Sequence, residues 1–319
     1  MHNIDYKKKS KLNPHLKRNY IWAYIFILPQ ILYFLGASLY PIIMSYVYSF
    51  FDWAGVGPLE DFIGFDNYKE LLEDPQFWGA FFNTLIYTIG FTFISTSVSL
   101  ILALVLNEVN LKGKGFYRTI YFLPVVTTTA IVGIIMQNIF GIDGLVNQVL
   151  EKVNLISQPV PWLVDPVLAM IVLIVVGSWK SIGITMVYWL TGLQTIPNDL
   201  YEAAKIDGAG YWTTLRYITL PLLKPITAVI FFLAIISSMQ VFDLVKTLTD
   251  GGPFYSTETL ELYIYRYAFA SELGGSRVGF ASAAGVILGI FVFLVSIGFA
   301  LLGWIAKRKG NALKGVNSL

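Results

Sequence analysis

The chain contains no cysteine. That excludes disulfides, a thiolate nucleophile and any cysteine-ligated metal site. Histidine is nearly as scarce: His2 and His15 both lie in the polar N-terminal stretch, which argues against histidine-based acid–base chemistry or a buried histidine metal site. Charge is sparse as well. Asp, Glu, Lys and Arg make up 13% of the 319 residues, against roughly 25% in an ordinary soluble domain. The phosphate-cradling pattern G-x-x-x-x-G-K-[ST] is missing; the one Gly-Lys pair, Gly113-Lys114, is followed by Gly115. Nucleotide binding by that route is therefore closed to this chain. Internal repeats and low-complexity stretches are absent too.

What is present is apolar surface, 56% of the residues, arranged in long runs. Crossing about 30 Å of hydrocarbon takes roughly 20 apolar residues in a helix, and a helix satisfies its own backbone hydrogen bonds there. Six runs meet that length: Asn19–Phe51, Pro75–Asn107, Thr119–Ile142, Pro166–Asn198, Pro225–Phe242 and Val278–Ala306. The fourth is interrupted once, by Lys180. The first is too long for the core of a signal peptide, so it reads as a retained helix, bent at Pro29 or ended near Pro41. The expectation is an all-α polytopic membrane protein of about six transmembrane helices.

Lysine and arginine give the orientation. With the N-terminus inside, 16 basic residues fall in cytoplasmic segments and five (Lys69, Lys152, Lys246, Arg266, Arg277) outside. Both termini are then cytoplasmic. The basic N-terminal tail reads as an anchor against anionic lipid rather than as a nucleic-acid arm.

The cytoplasmic loop between the fourth and fifth runs is the most informative segment. Asp199 has the character of an N-cap, with Glu202 three residues on. Leu200 to Asp207 makes about two helical turns, and Gly208 and Gly210 supply the stop. Leu200, Ala203, Ala204 and Ile206 form a small apolar face. Leu220-Pro221 closes a second short helix, and Pro225 opens the next span. Two readings fit the first helix equally: a docking knob for another surface, or a helix lying on the membrane interface.

The spacing Glu202-Ala203-Ala204, Asp207-Gly208, Ile218, Leu220-Pro221 resembles the EAA loop of binding-protein-dependent ABC importer permeases. Leu215 departs from it, standing where an aromatic is common. Asn83-Thr84, the stretch Arg118-Thr119-Ile120-Tyr121-Phe122-Leu123-Pro124, Phe242-Asp243, and Leu248 through Gly251-Gly252-Pro253 are similar to the sugar-permease subgroup, in the maltose-permease-F-like and glycerol-phosphate-permease-A-like branches. The likeness covers about residues 20 to 306, without the large external insertion of the maltose protein.

The resemblance implies a type I ABC importer permease fold. It divides the chain into a basic tail at 1–19, a first helix with external loop at 20–77, a permease core at 78–306 with the EAA loop at 199–225, and a tail at 307–319. It also implies partners: a second homologous permease completing the pore, two cytoplasmic ATPase subunits that hold ATP and Mg, an extracytoplasmic solute-binding protein, and a sugar as solute. The setting is a bacterial or archaeal cytoplasmic membrane. No cofactor is expected on this chain, and no catalytic or metal residue.

A lysine at mid-bilayer costs roughly 2.5–3.5 kcal/mol on insertion scales, so Lys180 should face a pore or a partner. Aligned outward from the EAA loop, Lys180, Ser181 and Ile184 fall near sugar-contacting positions of the maltose permease, as do Ser237, Ser238 and Gln240. Trp179 and Tyr188 are further candidates as stacking aromatics. Interhelical packing is the alternative for each serine or tyrosine, and an ion pair with a partner for Lys180. Gly285 and Gly289 form a small-xxx-small pair suited to close packing. Two other classes are weighed. An ion-gradient transporter more often shows buried acids, and an embedded enzyme needs a catalytic constellation; neither signature is seen. Within the permease class, an anionic solute such as glycerol-phosphate is the second reading, because Lys180 is a cation.

Overall fold

The computed structural model describes residues 14–108, 111–269 and 275–316. Residues 1–13 of the expected basic tail lie outside them, as do 317–319. Among the described residues all regular secondary structure is helical, apart from one isolated bridge between Phe51 and Phe62. Five helices are long and apolar enough to cross a bilayer, and a bent pair brings the count to six.

The first span is one helix, not a helix ended near Pro41. It runs through α1 (Pro14–Phe34), a π-turn (Leu35–Leu39) and α2 (Tyr40–Tyr48). Proline lacks an N–H and its ring collides with the carbonyl four residues back. The π-turn ahead of Pro41 relieves both problems: the Tyr40 N–H donates to Leu35 O, one residue further back than in an α-helix. Pro29 likewise sits inside α1.

The span before the cavity repeats the device. The structure joins α10 (Tyr211–Thr214), a π-turn (Leu215–Thr219) and α11 (Leu220–Met239) into one helix. Leu220-Pro221 therefore ends nothing, and the span opens at Tyr211 rather than at Pro225. Here the Leu220 N–H donates to Leu215 O, the same offset from the proline as in the first span.

The third run corrects more sharply. It is not one straight helix but α5 (Lys114–Val126) and α6 (Thr129–Ile139), bent by 97°. Thr127 and Thr128 between them are extended. Val125 to Thr129 is an unbroken run of β-branched residues, the type that loses most χ1 freedom in a helix.

Spans α4 (Pro75–Asn107) and α8 (Pro166–Leu193) are each opened by an aspartate N-cap, Asp74 and Asp165, followed by proline. They form the centre of the bundle. Gly183 lets α8 close directly on α5: a Cβ there would sit 2.3 Å from Tyr121 O. The last helix, α14 (Val278–Val316), continues well past position 307. Position 77 lies inside α4, so no break separates the first expected segment from the core. Gly285 and Gly289 have nothing within 4 Å of their Cβ positions, so among the described residues their small faces meet no other helix.

The outer side is tied by polar contacts. α3 (Asp66–Glu73) and the start of α14 are joined by Arg277, whose two nitrogens donate to Glu70 at 2.6 and 2.7 Å. That guanidinium holds the Glu70 carboxyl below the usual carboxylate range. α13 (Leu260–Phe269) joins them: Tyr263 Oη donates to Asp74. Asn83 donates to the Tyr255 and Glu258 carbonyls, and Thr84 Oγ1 accepts from the Leu260 N–H. The Asn83-Thr84 pair thus anchors the loop carrying Gly251-Gly252-Pro253. Glu258, fully buried in that loop, accepts from Gln76 at 2.7 Å and faces Arg266 at 3.3 Å. Burial pushes its carboxyl up, against the opposing pull of Gln76 and Arg266.

Candidate functional site

Two helices break at the same level. The α5–α6 break is described above. α11 stops at Met239, Gln240 to Phe242 leave the helix, and α12 (Asp243–Leu248) resumes it. Between these breaks lies a cavity of about 310 Å³, at the small end of ligand sites. Irregular backbone is tolerated at membrane depth where it lines such a cavity.

Six residues singled out from the sequence line this one cavity: Lys180, Ser181, Ile184, Ser237, Ser238 and Gln240. Trp179 and Tyr188 do not. They are 42% and 40% exposed: Trp179 stands about 100° round the helix from Lys180, and Tyr188, one turn past Ile184 on the same face, lies beyond the end of the cavity lining. The structure adds Tyr87, Val125, Thr129 and Asp243 to the lining. Tyr87 stacks on Phe91, and Gly177 gives it room: a Cβ there would lie 2.2 Å from its hydroxyl.

The chemistry of the walls is mixed. Ser181, Ser237 and Ser238 donate to carbonyls of their own helices at 3.0, 3.0 and 2.8 Å. Their oxygens remain free to accept. Gln240 offers donors and an acceptor, and Lys180 only donors. Among the described residues, neither Lys180 nor Asp243 has an opposite charge within 4 Å. No cluster of His, Asp or Glu suited to a metal ion occurs among the described residues.

The lid over this cavity is made by the two half-helices. α6 lies against α12 at Gly133, where a Cβ would meet Thr247 Oγ1 at 1.8 Å. The contact is otherwise apolar, with Val132, Leu244, Val245 and Leu248 buried in one cluster.

On the cytoplasmic side, α9 (Asn198–Ile206) carries the Glu202-Ala203-Ala204 segment. Asp199 is not its N-cap; that place belongs to Pro197, and Asp199 sits in the first turn, where its charge meets the positive end of the helix dipole. Nor is the alanine face continuous. Ala204 is buried against the bundle, while Glu202 and Ala203 are exposed and Ile206 is 85% exposed. The helix ends in a Schellman motif. Ala209 N–H donates to Ala204 O and Gly208 N–H to Lys205 O, with Asp207 as C-cap and Gly208 at φ +75°. Tyr201 packs against the inner core of Leu106, Trp189, Leu193 and Leu223, and its hydroxyl lies 3.3 Å from Thr219 Oγ1. Ile218 lies in the π-turn, with Leu220 and Pro221 directly after it, away from the exposed face of α9. Arg118 reaches the Leu106 carbonyl at the end of α4, a cation at a helix C-terminus.

A multi-pass helical bundle with a ligand-sized cavity at two helix breaks defines a membrane transport permease. The chain belongs to the family of binding-protein-dependent transport system inner membrane components, which it matches over residues 95–309. It is 38% identical over 257 residues to the lactose transport system permease protein LacF of Rhizobium radiobacter, covering 80% of this chain and 86% of that one. It is 34% identical over 277 residues to the arabinooligosaccharides transport system permease protein AraP of Bacillus subtilis (strain 168), covering 86% of each. Its fold superposes with a TM-score of 0.77 on a chain of a bacterial ABC transporter involved in the import of the acidic polysaccharide alginate, at 27% identity, covering 91% of this chain and 96% of that one. The same alginate transporter in complex with an alginate pentasaccharide-bound periplasmic protein gives a TM-score of 0.76 at 28% identity, covering 93% and 97%.

Proposed function

We propose that this chain is one permease half of an ATP-driven sugar importer in a bacterial or archaeal cytoplasmic membrane, with a second homologous permease completing the pore. The observation that carries the reading is the cavity at the two breaks, where Lys180, Ser181, Ser237, Ser238 and Gln240 present donors and acceptors in the mixture that sugar hydroxyls need. The permease relatives for lactose and arabinooligosaccharides support sugar as the solute class. The alginate transporter bound to its periplasmic protein supports delivery by an extracytoplasmic binding protein.

Two cytoplasmic ATPases, each holding ATP and Mg, dock below, one of them on the exposed Glu202, Ala203 and Ile206 face of α9. Their closure moves α9, Tyr201 passes the motion to Thr219 and α11, and the breaks at both helices let the lid of α6 and α12 swing over the cavity. Glu202→Ala and Gly208→Pro should each cut transport by more than about tenfold while the complex still assembles. A proline at Gly208 removes the N–H that closes the Schellman motif. Wild-type transport by both variants would remove the coupling role from α9.

The decisive experiment reconstitutes the complex with its binding protein and measures solute-stimulated ATP hydrolysis over a panel of neutral, acidic and phosphorylated sugars. Stimulation by a sugar is expected. Stimulation by another solute class alone overturns the sugar assignment, and uptake driven by an ion gradient without ATP overturns the importer reading. Lys180→Met should lower solute-stimulated uptake by about tenfold, since a hydrogen bond from a charged group contributes about 1.5–3 kcal/mol. Unchanged uptake kinetics would take Lys180 out of the site. A phosphorylated or otherwise anionic solute is the second reading, favoured by the absence of any carboxylate within 4 Å of Lys180 among the described residues.

A further inference from the structure

The largest cavity described is not the one between the helix breaks. It is a groove of about 730 Å³ between α11 and α14 on the outside of the bundle. Its walls are Ala228, Val229 and Phe232 on one helix and Ser296, Phe299 and Gly303 on the other. Phe232 and Phe299 meet across it at 5.5 Å between ring centroids. Ser296 donates its hydroxyl to the Val292 carbonyl at 2.8 Å, and the side chains of the other walls named are apolar. Gly303 has open space within 4 Å of its Cβ position, and Ala228 is exposed. The opening exists because both side chains are small.

Depth places the groove in one leaflet. α14 leaves the outer side at Val278, next to Arg277 and its ion pair with Glu70. At about 1.5 Å per residue, Gly303 lies about 38 Å along the helix, beyond a hydrocarbon core of about 30 Å. Gly303 and Lys224 border the same cavity, so Lys224 stands at the inner headgroup level. The lysine is exposed and has no carboxylate within 4 Å among the described residues. The charge bias of the chain makes this the cytoplasmic side, where anionic lipids give the leaflet its negative surface.

We propose that the groove is a binding site for an anionic phospholipid of the inner leaflet. One acyl chain lies along Ala228 and Val229, over the Phe232–Phe299 pair, toward Ser296. The phosphodiester accepts hydrogen bonds from Lys224 Nζ. An apolar slot alone would take any acyl chain; the unpaired cation at its mouth selects an anionic headgroup over a zwitterionic one. The site is independent of what the permease transports.

The test uses the full transporter complex in nanodiscs and two photoactivatable probes with identical acyl chains, phosphatidylglycerol and phosphatidylcholine. Cross-linked peptides are mapped by mass spectrometry. Phosphatidylglycerol should label peptides carrying Phe232 or Phe299 about fivefold more than phosphatidylcholine, from the attraction of one basic residue near the surface. Lys224→Gln should erase that preference and Lys224→Arg should keep it. Equal labelling by the two lipids, or labelling confined to other helices, overturns the proposal. So does a cross-link from a single cysteine at Ala228→Cys, in this cysteine-free chain, to the partner permease in place of lipid, because a protein helix would then fill the groove. Should Lys224→Gln fail to assemble, the two-probe comparison on the wild type and on Lys224→Arg still decides.

Discussion

The outer side of this permease contains two regions built on opposite principles. The belt of α3, α13 and the starts of α4 and α14 is cross-tied by Arg277–Glu70, Tyr263–Asp74, Gln76–Glu258 and the two bonds of Asn83. Beneath those ties sits an aromatic core in which Phe77, Tyr263 and Phe280 are buried together. Between α6 and α12 themselves, no such side-chain tie occurs among the described residues, although Thr259 holds the Val241 carbonyl in the break before α12. The two helices touch through Gly133, Thr247 and an apolar cluster, and each is joined to its span by a short non-helical break, extended at Thr127-Thr128 and irregular at Gln240–Phe242. Directional bonds fix a geometry, whereas apolar contact tolerates sliding. If the proposed importer cycle moves any part of this side, the segments that border the cavity are held by the less directional contacts.

Several substitutions break or sharpen this contrast. The largest effect is expected in the lid. Gly133→Leu drives a side chain into Thr247, and overpacking typically costs about 1–3 kcal/mol. Solute-stimulated uptake should fall by more than about tenfold, and Gly133→Ala combined with Thr247→Gly should recover part of it. Wild-type uptake by Gly133→Leu would mean that α6 and α12 do not move as one. The belt should answer differently. Arg277→Met removes the pair with Glu70, which lies at the exposed end of the usual range of about 0.2–1 kcal/mol. The thermal midpoint of the complex should drop by a few degrees while uptake per assembled complex stays within about twofold. A matched loss of uptake would erase the distinction between belt and lid.

The smallest effect concerns pH. Burial raises Glu258, so its favourable contribution to stability is present below the unfolded carboxylate pKa and is lost as pH rises through the higher folded value. Glu70, lowered by Arg277, runs the other way: its contribution is present at neutral pH and is lost as pH falls. Glu258→Gln should therefore be at least as stable as the wild type near pH 8, with the difference shrinking on acidification. Denaturation midpoints across that range check the sign, and a gap that widens toward low pH would contradict it.

Much of the architecture was legible from composition. Apolar runs locate the spans because lipid demands them, and the Glu202 to Gly208 spacing locates α9 because its terminal turn requires a glycine at positive φ. Lys180 announced the cavity because a cation inside a span needs a reason. The failures share a cause. Proline reads as a helix terminator at Pro41 and Pro221, yet a π-turn ahead of each lets the helix continue. The reverse error occurred at Val125 to Thr129, where hydropathy predicted a span and the β-branched run broke it. That run carries a readable signal of two cavity residues, Val125 and Thr129. Asn147 gave no signal. Its buried amide bonds Ile142, Val160 and Trp162 and so folds the loop before α8, a network that sequence spacing does not reveal.

The second π-turn has a consequence for phase. Each residue of an α-helix advances the side-chain direction by about 100°, and a π-turn amounts to one residue inserted into that rotation. Between Tyr211 and Met239 the helix must present Thr219 to Tyr201 at its inner end and Ser238 to the cavity at its outer end. Without the inserted residue those two faces would be about 100° out of alignment. The turn at Leu215–Thr219 thus sets the angular registration between the end that meets Tyr201 and the end that borders the cavity.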